Sequence, residues 1–212
     1  MGPTQTVTLL FTDLVGSTAL QTRLPPDESD ALRREHFGIL REAIGAAGGD
    51  EVKTLGDGVM VAFEGVGAAL RCAIAMQQRL ERRNRSASPA LMLRVGIAIG
   101  DATREADDWF GQPAVEAARL CAAADGGQIL VTEAVHLLTA APDAPAMNPL
   151  GPIVLKGLPE TVTAWSVEWE RLAPEAGTPP LPPRLRDTGE SGFVGRVTER
   201  EQLAAALSLI HI

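Results

Sequence analysis

The chain has 212 residues and a formal net charge of −8, from 19 Lys+Arg against 27 Asp+Glu. At ~100–200 residues per domain this is one full domain plus a remainder, and 45% hydrophobic with 22% charged residues excludes wholesale disorder. An acidic chain without a basic block is a poor binder of nucleic acid or anionic membrane. The opening MGPTQTVTLLFTD has neither the positive region nor the apolar stretch of a signal peptide, and the longest apolar run, LMLRVGIAIG, is interrupted by Arg94 and far short of the ~18–20 residues that span a bilayer. A soluble cytoplasmic protein is expected. Cys72 and Cys121 sit in Ala-rich, helix-like runs and read as reduced core thiols.

Taken in chain order, residues 6–12 (TVTLLFT) are β-rich and apolar and predict a short buried strand ending at Asp13. Ser17-Thr18 are candidate caps for a helix start after this strand. A helical pattern runs over 27–47, with Leu32, Phe37, Leu40 and Ile44 on one face, and Gly48-Gly49 closes it. Two β-compatible runs, 51–55 and 59–63, flank Gly56-Asp57-Gly58, a hairpin signal. A second amphipathic helix is predicted over 66–83, with Ala69, Cys72, Ala73, Met76 and Leu80 inward. Then come a strand over 91–99 with Gly100 as breaker, a helix over 113–124 stopped by Gly126-Gly127, a short strand over 128–132 and a short helix to about Thr139. Residues 140–149 read as a loop, and 153–155 and 163–169 as two last strands.

The order β-α-β-β-α-β followed by a small α/β appendage is the split βαβ pattern of an α+β, ferredoxin-like sheet with flanking helices. A right-handed crossover makes the first two strands parallel, with room for the third between them. The turn after the second strand then lies at the same end of the sheet as the end of the first. Asp13 and Asp57, 44 positions apart, are thereby predicted to meet. The composition changes after Arg171. The chain divides into a folded part, 1–171, a Pro-rich linker, 172–191 (containing APEAGTPPLPP), and 192–212, which starts a new helical pattern too short to bury its own core.

Two carboxylates a few ångströms apart repel, so something must compensate them. A divalent cation with hard oxygen ligands does so, and Mg²⁺ typically takes one or two protein carboxylates plus substrate phosphates. The Leu14-Val15-Gly16-Ser17-Thr18 turn beside Asp13 has a Gly at a strand-to-helix junction, where exposed backbone N–H groups suit phosphate. Together these suggest phosphoryl or nucleotidyl transfer with two metals. Each acid also has a bland reading, Asp13 as a helix N-cap and Asp57 as a turn residue. A further count bears on the site. Of the 19 basic residues only Lys53 and Lys156 are lysines, and from the count alone chance and a need for a compact ammonium head stand level.

Phe11-Thr12-Asp13-Leu14-Val15-Gly16-Ser17-Thr18, Lys53-Thr-Leu-Gly-Asp57-Gly, Arg94-Val-Gly-Ile, Asp108-Trp-Phe-Gly111 running into Ala117-Ala-Arg119-Leu, and Leu155-Lys156-Gly-Leu-Pro resemble the catalytic domain of class III adenylyl/guanylyl cyclases over about residues 5–170. The resemblance implies that Asp13 and Asp57 hold two metal ions, Mg²⁺ or Mn²⁺, with the Leu14 carbonyl assisting. It implies that the amides of Val15, Gly16, Ser17 and Thr18 cradle the triphosphate. Lys53 and Asp108 match the pair that reads adenine, Arg119 the transition-state arginine, and Lys156 the lysine on the terminal phosphates. Both lysines of the chain thus fall on family positions. It further implies ATP as substrate and 3′,5′-cyclic AMP and pyrophosphate as products. The site would lie between the chains of a homodimer, Asp13 and Asp57 from one and Lys53, Asp108, Arg119 and Lys156 from the other. One ion would acidify the ribose 3′-hydroxyl and the other would neutralise the leaving pyrophosphate.

One position departs from the family. Four residues before Arg119, where an asparagine usually contacts the ribose and the transition state, stands Val115, which cannot donate a hydrogen bond. A lost transition-state donor can cost ~10²-fold or more in rate. A weakly active or inactive cyclase-like sensory domain, regulating a C-terminal ATPase or DNA-binding region, is therefore the competing expectation. Gly48-Gly49-Asp50-Glu51-Val52 resembles the signature of diguanylate cyclases, but it lies at a helix end entering a strand rather than at the hairpin. The tail Gly192-Phe-Val-Gly-Arg196 resembles the start of the AAA-type ATPase modules that follow cyclase domains in some large actinobacterial regulators, without a phosphate loop of its own. His36, His136 and His211 lack ligand-like spacing and are expected in surface or core roles.

Overall fold

A computed structural model describes residues 2–139, 144–157 and 160–172. The linker and the 192–212 segment expected above, with His211, lie outside the described residues, as do parts of the 140–149 loop and of the motif after Lys156. The elements are β1 (Thr4–Leu14), α1 (Ser17–Arg23), α2 (Pro26–Ala47), β2 (Asp50–Leu55), β3 (Gly58–Phe63), α3 (Val66–Asn84), β4 (Leu93–Glu105), β5 (Asp108–Phe110), α4 (Gln112–Ala123), β6 (Ile129–Thr132), α5 (Glu133–Leu138), β7 (Met147–Ile153) and β8 (Val162–Val167).

The strands form one eight-stranded sheet, ordered β2-β3-β1-β4-β6-β8-β7, with β5 paired to β4. β3 runs antiparallel to both β1 and β2. β1 and β2 are therefore parallel with β3 between them, as a right-handed split βαβ crossover requires. This is the mixed α+β fold with flanking helices that the sequence pattern predicts.

All six residues of β3 (GVMVAF) are buried because both faces of the sheet are covered there. Val59, Val61 and Phe63 pack with Leu10 of β1, Phe37 and Leu40 of α2, and Met76 of α3. Met60 and Ala62 face the other way, against Leu9, Ala98, Trp109 of β5 and Ala117 of α4. The two long amphipathic helices thus sit on one face, and α4 with the β4–β5 arm on the other. Cys72 and Cys121 are buried free thiols, and burial pushes both up to about 12.

Four expectations are corrected. Ser17 and Thr18 do not cap α1: they lie in its first turn, Gly16 is the N-cap residue, and no side chain caps the helix. Gly100 does not end the fourth strand. β4 continues to Glu105, and a Cβ on Gly100 would rest at ordinary contact distance, 3.6 Å, from the Pro113 ring, so the glycine lies under α4 within a continuous strand. β5 returns along the end of β4 and closes a hairpin the sequence pattern did not reveal. The seventh strand is Met147–Ile153 rather than 153–155, so the end of the presumed loop is strand. Its two prolines and glycine hide it, but β7 is an edge strand, where proline is tolerated.

Candidate active site

Asp13 is the penultimate residue of β1, not a helix N-cap. Asp57 is the second residue of the two-residue loop joining β2 to β3, whose closing pair is Leu55 and Gly58. Gly56 takes the first loop position with φ 66°, the hairpin geometry that favours glycine there. Gly58 is dictated by close approach. A Cβ on it would stand 1.8 Å from the Thr12 carbonyl oxygen and 3.3 Å from Asp13 Cα. The Val59 N–H donates to the buried Thr12 Oγ1 at 2.9 Å. The start of β3 is thereby held against the end of β1, and the two aspartates meet as the topology predicts.

Electrostatics at this corner are unbalanced. Burial raises the Asp13 carboxyl above the usual aspartate range; the Arg94 hydrogen bond opposes this and the negative charge of Asp57 adds to it. Arg94 donates from Nε at 2.7 Å and Nη2 at 2.5 Å to the same oxygen, Asp13 Oδ2, and from Nη1 to the Ala122 carbonyl of α4 at 3.0 Å. Asp57 Oδ2 is buried and accepts no hydrogen bond. A buried carboxylate oxygen without a donor costs free energy unless a cation joins it. The donor set here is hard oxygen, which fits Mg²⁺ or Mn²⁺. Among the described residues no three His, Cys, Asp or Glu side chains converge. An ion on the pair would need further oxygen ligands, which a nucleotide triphosphate can supply.

Beside the pair, the turn into α1 offers the N–H groups of Gly16, Ser17 and Thr18, ahead of the first α1 hydrogen bond, Leu20 N–H to Gly16 O at 3.0 Å. Val15 is a correction. Its N–H is occupied by the Met92 carbonyl at 2.9 Å, which prolongs the β1–β4 pairing, so it is not free for phosphate.

A second cluster lies where β5 meets β2. Lys53 Nζ is hydrogen-bonded to Asp108 Oδ2, and Asp108 Oδ1 accepts the Trp109 N–H at 2.8 Å. Trp109 is buried under the Arg104 guanidinium, 5.7 Å from ring centre to Cζ, which fixes the strand that presents Asp108. Leu55 and Phe110, each two residues along its strand from Lys53 or Asp108 and so on the same face, are 42% and 52% exposed. The pair has an apolar, uncovered rim.

Arg119 lies on α4, and its Nη2 is 3.7 Å from where a Cβ on Gly157 would stand. The fold therefore brings Arg119 next to the turn carrying exposed Lys156. Val115, one helical turn before Arg119, is 42% exposed. Asp13 pairs with Arg94 near the start of β4, whereas Asp108 pairs with Glu105 at its end. The structure thus brings the predicted residues together in separate groups.

Two contributors have no role assigned from sequence. Arg94 belongs to a motif of the resemblance, but its contact with Asp13 depends on the β1–β4 register. His36 is expected only in a core or surface role, yet it is 1% exposed and its Nε2 lies 2.8 Å from the Asp57 carbonyl. Burial lowers its pKa, opposed by the nearby Asp57. Glu51, in the diguanylate-like stretch, accepts two hydrogen bonds from Arg41 at 2.8 and 2.9 Å, which explains it as a tie between α2 and β2.

The family described as the adenylate and guanylate cyclase catalytic domain matches residues 1–168. An uncharacterized protein of Mycobacterium tuberculosis (strain ATCC 25618 / H37Rv) is 35% identical over 169 residues, 80% of this chain and 43% of its own length. A putative adenylate cyclase 3 of Rhizobium meliloti (strain 1021) is 34% identical over 130 residues, 60% of this chain and 22% of its own. The chain spans less than half the length of either. Among solved structures, an adenylate/guanylate cyclase/hydrolase from Silicibacter pomeroyi superposes with TM-score 0.70 at 32% identity, covering 79% of this chain and 99% of that one. The adenylyl cyclase CyaB from P. aeruginosa gives TM-score 0.70 at 27% identity, covering 80% and 97%.

Proposed function

We propose that this chain, which belongs to the adenylate and guanylate cyclase catalytic-domain family, converts ATP to 3′,5′-cyclic AMP and pyrophosphate at a site shared by two copies of itself. The observation that carries this is the Asp13–Asp57 corner, where a buried carboxylate oxygen lacks any donor beside a second acid. In this reading Asp13, Asp57 and the Leu14 carbonyl hold two divalent cations, Mg²⁺ or Mn²⁺. When bound, these acidify the ribose 3′-hydroxyl and neutralise the leaving pyrophosphate. The 3′-oxygen attacks the α-phosphorus, the bond to the β-phosphate oxygen breaks, and the hydroxyl proton passes to solvent.

The N–H groups of Gly16, Ser17 and Thr18 receive the triphosphate. Lys53 donates to an adenine ring nitrogen and Asp108 accepts from the exocyclic amine. Guanine presents an acceptor where adenine has that donor, so the pair favours ATP over GTP. Arg119 stabilises charge on the transferred phosphorus, and Lys156, beside it, meets the terminal phosphates. One feature supports division between copies: the Lys53–Asp108 face has the uncovered apolar rim of Leu55 and Phe110. In this reading the domain works in the cytoplasm, where ATP is supplied, without nucleic acid or membrane as a partner. Among the described residues no helix is long and apolar enough to cross a membrane.

The test is cyclic AMP formation from ATP and Mn²⁺ at two protein concentrations. Product that disappears in Asp57→Ala, with specific activity rising with concentration, supports a shared site. GTP as the better substrate would overturn the base assignment. Val115 favours one second reading, a weakly active cyclase-like sensory domain acting on an ATPase-like region beginning near Gly192. Measurable ATP binding without product in the wild type would select it.

A further inference from the structure

We propose that His36 is a positioning residue that sets the Asp57 loop for metal binding. The inference rests on the reading of Asp13 and Asp57 as a cation site. His36 lies on α2, buried at 1% exposure, and its Nε2 is 2.8 Å from the main-chain carbonyl of Asp57. A carbonyl can only accept, so Nε2 carries the hydrogen. That carbonyl belongs to the hairpin loop and lies outside the β2–β3 ladder, whose last pair is Leu55 with Gly58. The start of β3, just past the loop, is tied to β1 by the Val59 N–H to Thr12 Oγ1. The hairpin is therefore anchored to β1 through Val59 and to α2 through Asp57 itself.

Packing does not do this work alone. A cavity of about 30 Å³ borders the loop between α1 and α2, lined in part by Leu14, Ser17, Leu32, His36 and Asp57. Side chains leave this flank of the loop unfilled, and the hydrogen bond from His36 gives the Asp57 backbone a fixed point there. The distance between two ion-binding carboxylates is sensitive to displacements well below 1 Å. His36 thus acts on the ion through the backbone of Asp57, without touching ion or substrate.

The experiment uses the full 212-residue chain and reads Mn²⁺ binding by electron paramagnetic resonance in the presence of a non-cyclisable ATP analogue. In His36→Leu, which fills the same volume without a donor, Mn²⁺ binding weakens at least tenfold. In His36→Gln, whose amide nitrogen can stand where Nε2 stands, it stays within about threefold of wild type. Wild-type affinity in His36→Leu, or equal losses in both variants, overturns the proposal. A wild type that binds no Mn²⁺, or Asp57→Ala that binds it normally, overturns the cation-site reading instead. A wild-type measurement does not depend on the variants folding: ¹⁵N-histidine spectra should show His36 as the Nε2–H tautomer, and an Nδ1–H tautomer refutes the role.

Discussion

Arg94 and Asp13 are register partners on adjacent antiparallel strands, and the guanidinium places two hydrogen bonds on a single carboxylate oxygen, at 2.7 and 2.5 Å. This is the compensation the acid corner has within the protein itself. Arg94→Met leaves Asp13 facing Asp57 with no positive partner. Both Arg94 and Asp13 are about a third exposed, so solvent screening limits the loss to about 1 kcal/mol. The melting temperature should fall in metal-free buffer, and Mn²⁺ should raise it more in the variant than in the wild type.

Asp57→Asn separates stability from activity. It removes the like charge that helps raise Asp13, so the metal-free protein at neutral pH should melt higher, by about 1 kcal/mol or less. On the proposed two-cation reading, cyclic AMP formation should fall by ~10²-fold or more, because Asp57 would be lost as a carboxylate ligand. Urea unfolding and product assays on the same preparation check both halves. A variant that loses stability along with activity contradicts the picture of a strained acid pair.

Val115→Asn tests the one departure from the family pattern. The position is exposed on α4, one turn before Arg119, so the substitution should change stability by less than ~0.5 kcal/mol. An amide donor restored there should raise kcat by roughly tenfold or more through its transition-state contact, and lower KM through its contact with the ribose. An unchanged kcat would show that the site works without this donor.

Glu51→Gln separates the diguanylate-like stretch from catalysis. The Arg41 hydrogen bonds hold Glu51 below the usual carboxylate range. Its folded pKa lies below its unfolded one, so its contribution is present above the unfolded value and is lost as pH falls through the folded value. With Arg41 more than half exposed, the contribution is about 0.5–1 kcal/mol. Wild type and variant should therefore differ in melting temperature at neutral pH and converge in acid, with cyclic AMP formation unaffected.

The meeting of Asp13 and Asp57 is legible because it follows from strand order alone, and strand order follows from hydrophobic pattern, turn glycines and crossover handedness. Lys53 and Asp108 are legible only through resemblance; no local pattern marks β5, three residues long and folded back along β4. β7 is hidden because Pro149, Gly151 and Pro152 read as loop, and only its place at the sheet edge makes them acceptable. His36 is hidden because a single histidine on an apolar helix face looks the same whether it merely fills space or holds a distant turn. Val15 is misassigned from sequence because the Met92 carbonyl that takes its N–H comes from a segment 77 positions away.

The prolines of β7 carry one more consequence. At Pro149 and Pro152 the outermost strand has no amide hydrogen to offer a newcomer, so this flank of the sheet is a poor template for edge-to-edge recruitment of another chain, a guard against aggregation written into the sequence as two residues that look like loop.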